Sequence, residues 1–138
     1  MAQSELDMTK VMVLFQRRYN SIREVSRLTE ELADALSRND EISVTMVLEM
    51  RADELGRFDD CTGELWRMCE HAGCETVQKM RRLITADPAE TAGESPEEKK
   101  IYEIRRKTQA VIDQLRVADE RLNRKVAGKK SYYGNARR

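Results

Sequence analysis

The amino-acid sequence predicts an all-α fold, an elongated antiparallel bundle of three long helices (the second kinked near Gly73) with a basic C-terminal tail. Three observations carry that expectation. Apolar residues recur at steps of three and four along almost the whole chain, the spacing of one buried helical face. Two prolines and six glycines in 138 residues are too few for the many turns of a sandwich or barrel. The chain is 40% hydrophobic and carries 25 basic and 25 acidic side chains, whereas disordered chains combine low hydrophobicity with high net charge. The length fits one domain, residues 1–138.

In the first helix, expected over about residues 4–37, the stripe is Phe15, Tyr19, Ile22, Val25, Leu28 (or Thr29), Leu32 and Leu36. It breaks at Ser37-Arg38-Asn39-Asp40, where Asn or Asp can accept a bond from the free amides of the next helix. The second helix, expected over 41–85, carries Val44, Leu48, Leu55, Phe58, Leu65, Met68 or Cys69, and Ala72. Thr76, Met80 and Leu83 continue that frame past Gly73. Two readings follow: one very long helix runs to about Thr85, or Gly73 kinks or ends it and a short helix covers 75–85. A glycine costs only about 1 kcal/mol in a helix interior, which favours a bend over a full stop. Arg51 interrupts the stripe and is expected to pair with an acid of the first helix, such as Glu24 or Asp34, and so set the register.

Residues 85–96 hold both prolines and no apolar period, which reads as a loop. Its end is a helix start: Ser95 as N-cap, Pro96 at the first helical position, and Glu98 completing a capping box. The third helix, expected over 96–127, has the cleanest pattern: Ile101, Ile104, Thr108, Val111, Leu115, Ala118, Leu122 and Val126. That is a narrow seam of coiled-coil type. Gly128 is expected to end it, leaving residues 128–138 as a tail.

Function has to come from arrangement. None of the common nucleotide, zinc-protease or hydrolase motifs is present. Cys61, Cys69, His71 and Cys74 lie within 14 residues, but without the paired spacing of a zinc knuckle, and on a continuous helix they spread around the axis. No metal or cofactor is expected. Three cysteines leave one unpaired, and Met1 to Lys10 holds acids where a secretion signal is basic; both favour a reducing cytoplasmic location. The longest unbroken apolar run is the five residues Val11 to Phe15, against about 20 for a membrane span.

Charge is distributed unevenly. Residues 1–70 hold 15 acids and 9 bases, and residues 71–138 hold 10 acids and 16 bases. The last 18 residues hold seven bases, no acid, and Tyr132 and Tyr133. Such a segment suits an acidic protein surface better than nucleic acid, because seven charges at one end of a neutral chain make no general nucleic-acid binder.

Two resemblances follow. The first helix ends in Leu28, Leu32, Ala35 and Leu36 before the polar break, and the second opens with Val44, Val47, Leu48, Arg51 and Leu55. This resembles the first hairpin of the flagellar type III export chaperones of the FlgN and FliT kind. The end is similar as well, with Gly128-Lys129-Lys130 and Tyr132-Tyr133 in place of their basic, tyrosine-containing terminus. The likeness covers about residues 15–58 and 104–133; residues 59–103 and the Cys/His cluster depart from it. It implies a cytoplasmic, non-enzymatic chaperone or adaptor that binds the amphipathic C-terminal helices of late flagellar subunits (hook-associated or filament-cap proteins) and delivers them to the export gate. By their location on the third helix and the tail, the expected partner-binding residues are Leu115, Leu122, Val126, Tyr132 and Tyr133, with Arg121, Arg124 and Lys125 steering an acidic partner. Core packing is the competing expectation for Leu115 and Leu122. The alternative is a self-associating structural coiled coil, a homodimer through the third helix. A further one is a small helical enzyme: Gln114-Leu115-Arg116, Asp119 and Leu122 are similar to the opening signature of all-helical chorismate mutases, and catalysis there would need Arg51, Arg105 or Arg116 to converge.

Overall fold

The computed structural model describes residues 6–136, with side chains through residue 128. Among the described residues every regular element is a helix: α1 Met8–Ser37, α2 Glu41–Glu70, α3 Val77–Thr85 and α4 Pro96–Ala136. The all-α expectation is met, with four helices. None is long and apolar enough to cross a membrane.

Local chemistry sets the ends. Asp7 caps α1 by accepting from the Lys10 amide at 3.0 Å. The turn into α2 places Asn39 at φ 57°, a left-handed conformation that asparagine tolerates better than most residues. Asp40 then caps α2, its carboxylate accepting from the Ser43 amide at 3.1 Å and hydroxyl at 2.7 Å. The box at the start of α4 forms as the sequence predicts: the Glu98 amide donates to Ser95 Oγ at 3.1 Å, and the Ser95 amide to Glu98 Oε2 at 2.9 Å.

Two boundaries differ from expectation. The second helix ends at Glu70 and a short helix follows, so of the two readings the less favoured one, a stop, is what forms. The Gly73 carbonyl accepts from the Thr76 and Val77 amides, both at 2.9 Å, which starts α3 on a new axis. Tertiary packing decides this. Met80 and Leu83 of α3 are 0% and 1% exposed, and a continued α2 could not deliver them to the core they share with α4. The third long helix, in turn, passes Gly128 and runs to Ala136. One helical glycine costs about 1 kcal/mol, too little to stop a helix flanked by lysine and alanine.

Helix α1 is the central element. Arg18 Nε donates to Thr62 Oγ1 of α2 at 2.9 Å, and Arg51 Nε of α2 to Thr29 Oγ1 at 3.0 Å. The two helices therefore meet in opposite sequence order. Against α4 the order is the same: Val11 and Phe15 share a cluster with Ile101 and Ile104, Ile22 and Val25 with Leu115, and Leu28 and Leu32 with Leu122. The buried hydroxyls of Thr29 and Thr108 donate to the carbonyls of Val25 and Ile104, so the seam carries polar atoms without orphaning them.

Tyr102 lies one position off the predicted seam, yet it is 1% exposed. It faces α3 and donates its hydroxyl to the Arg82 carbonyl at 3.3 Å. Gly93 holds the preceding loop against α4. Its φ is +86°, and a Cβ there would stand 2.8 Å from the backbone of Glu98 and Lys99.

Candidate partner-binding groove

Among the described residues, no Cα of α2 comes within 8 Å of one of α4. Both lie on α1 and leave a gap between them. At the end remote from the α1–α2 turn, α3 fills that gap. Met80 and Leu83 pack with Leu65 and Cys69 of α2 and with Ile101, Tyr102 and Ile104 of α4. Towards the turn nothing among the described residues fills it. There the gap is an open groove with walls of Leu36, Val44, Leu48, Leu122 and Val126. Leu48 is 46% exposed, although it lies on the stripe the sequence assigns to the interior.

Arg51 and Asp119 bridge this groove. Arg51 Nη2 donates to both carboxylate oxygens of Asp119 at 2.8 Å. The sequence expectation placed the Arg51 partner on α1; the structure places it on α4. The register sets Arg51 opposite Thr29, and only a long side chain spans the space to α4. The side chains are 19% and 42% exposed, a half-buried pair whose removal on one side leaves the other uncompensated.

Away from the bridge, Arg18 ties α1 to α2 through Thr62 and Phe58. Its guanidinium lies 4.3 Å from the Phe58 ring centroid, a cation–π contact. Burial, and secondarily the positive charge of Arg105, push its pKa below the ordinary arginine value. Arg105 donates to the Ala86 carbonyl at the end of α3, where a cation complements the helix dipole.

The partner-binding residues expected from sequence divide over two surfaces. Val126 and Leu122 face the α2–α4 groove. Arg121 and Lys125 line a second cleft, between α4 and α1, with Leu115 and Leu122 at its floor. Leu115 and Leu122 are buried, at 7% and 8% exposure, so both belong to the core while their edges reach these surfaces. Arg124 is exposed and lies 3.4 Å from Glu120 on its own helix. Tyr132 and Tyr133 lie on the backbone helix, but their side chains fall outside the described residues. Sequence reading missed Val44, Leu48 and Leu36 as groove walls, because a periodic apolar stripe looks the same whether or not a neighbour covers it.

The other chemical candidates do not assemble. Among the described residues no three His, Cys, Asp or Glu side chains converge as a metal set. Cys69 is buried beside the Val77 carbonyl, Cys61 is half-buried, and Cys74 is exposed. Burial raises the pKa of the Cys61 thiol, which disfavours the reactive thiolate. Arg51, Arg105 and Arg116 engage three different sets of partners, Asp119, Ala86 and Asp113 respectively. Comparison with protein-family models, curated proteins and solved structures finds no match to this chain.

Proposed function

We propose that this protein is a helix-binding chaperone or adaptor, an elongated antiparallel bundle of three long helices whose α2–α4 groove receives an amphipathic helix of a partner. One observation supports this most: the chain itself places a helix in the gap. Helix α3 shows the chemistry that fits, with Val77, Met80, Leu83 and Ile84 inward and Gln78, Lys79, Arg81 and Arg82 outward. The other half of the gap has apolar walls and no occupant among the described residues. A guest helix would dock by the helix-in-groove mode, with anchors at steps of three and four.

The resemblance in the first hairpin and in the basic terminus points to the partner: the C-terminal helix of a late flagellar export substrate, held in the cytoplasm. Arg121 and Lys125 line the other cleft, between α4 and α1, so the guest in the groove is recognised chiefly by its apolar face. Self-association through the α4 seam is the weaker alternative, because Ile101, Ile104, Leu115 and Leu122 already pack in clusters with α1.

The test is calorimetric binding of purified hook-associated and filament-cap subunits to the protein and to Leu48→Glu and Val126→Glu. Both positions lie at the groove surface, so helicity by circular dichroism should hold. At least a tenfold loss of affinity is expected in each variant. Retained affinity in both, or no binding to the parent protein, overturns the reading. Deleting residues 121–138 is a poorer test, since it removes Leu122 from the core.

A further inference from the structure

Helix α2 is apolar on a second side. Ile42, Met46 and Met50 are 76%, 58% and 45% exposed. Their spacing of four puts them on one face, turned away from the Val47 and Arg51 side that meets α1 and α4. Scattered exposed apolar residues are ordinary, but a contiguous apolar patch marks an interaction site. Two of the three are methionines, whose flexible, polarizable side chains adapt to varied partners.

The charges around this stripe have one sign. Glu41, Glu49 and Asp53 are exposed beside it, and none of them forms an ion pair among the described residues. The nearby bases are otherwise engaged: Arg51 turns inward to Asp119, and Arg57 pairs with Glu54. An apolar strip with a purely acidic rim repels an acidic helix and complements a basic one. The groove differs: its charged lining, Arg51 and Asp119, is paired across it.

We propose that the outer face of α2 at Ile42, Met46 and Met50 is a second docking surface, and that its occupant is a cationic amphipathic helix of another protein. The protein would then offer a second partner a surface on the outside of α2, apart from the groove. This goes beyond the groove reading and does not depend on it.

The probe is a synthetic 14-residue helical peptide with leucines at steps of three and four and lysines elsewhere; the control replaces every lysine with glutamate. Calorimetry at low salt should show the lysine peptide binding the full chain and the glutamate peptide failing to compete for that site. Met46→Ser/Met50→Ser alters exposed side chains and should weaken the lysine peptide at least tenfold with unchanged circular dichroism. Glu49→Lys/Asp53→Lys should do the same, with the loss shrinking as salt rises. Leu48→Glu, which disables the groove, should leave this affinity intact. Equal affinity in either double variant, or loss on Leu48→Glu, overturns the proposal. So does light scattering that finds a dimer in the parent chain and a monomer in Met46→Ser/Met50→Ser, because the face would then be a contact between copies.

Discussion

Removing the bridge between Arg51 and Asp119 should loosen the two walls of the groove, and the size of the effect can be worked from geometry. The carboxylate receives two hydrogen bonds at 2.8 Å from one guanidinium nitrogen. Hydrogen bonds to charged groups contribute about 1.5–3 kcal/mol when buried, while exposed ion pairs contribute about 0.2–1 kcal/mol. With exposures of 19% and 42%, a coupling of about 1–1.5 kcal/mol is expected between these limits. Asp119→Ala should cost about that much. Arg51→Ala should cost about 2 kcal/mol, because its stem also packs between the helices and Thr29 loses a donor. A loss of 1 kcal/mol lowers Tm by about 4 °C in a domain of this size. Urea denaturation of the two single variants and the double variant isolates the pair. A coupling below about 0.3 kcal/mol would show that the bridge holds nothing together, and the account of a groove spanned by one ion pair would fail.

Two glycines should respond in opposite directions. Gly93→Ala forces a Cβ into the backbone of α4 at a positive φ and should cost about 1–3 kcal/mol, whereas Gly128→Ala meets open space in a helix and should gain up to about 1 kcal/mol; thermal melts of the two variants check both signs. Acid should destabilise the protein through its helix starts. The Ser95 amide holds the Glu98 carboxyl below its ordinary value of 4.5, and the Ser43 hydroxyl likewise depresses Asp40. The unfolded chain binds these protons first, so this stability is complete above the ordinary carboxyl range and is lost as pH falls through the lowered folded values. Glu98→Gln should be less stable than the parent at neutral pH and show a flatter decline below pH 4.5; an unchanged acid limb in that variant would remove Glu98 from the account.

Much of this architecture was legible in the residues alone. The steps of three and four in Ile22, Val25, Leu28 and Leu32, and in Ile101, Ile104, Leu115 and Leu122, specify helices with one face to bury, because a side chain's direction follows from helical pitch without reference to any neighbour. Asp40, Ser95 and Glu98 were readable for the same reason: a cap joins atoms three residues apart. The sequence offered both a bend and a stop near Gly73 and could not choose, since Gly73 alone costs too little to decide it and burial of Met80 and Leu83 against α4 makes the difference. The partner of Arg51 escaped because it lies 68 residues away, and no local rule selects Asp119 over Glu24 or Asp34. The groove belongs to the same class. Sequence determined that Val44, Leu48 and Val126 are apolar, but only the separation of α2 from α4, and the place where α3 stops filling it, decided that their faces stay open, because exposure depends on what stands opposite a residue in space.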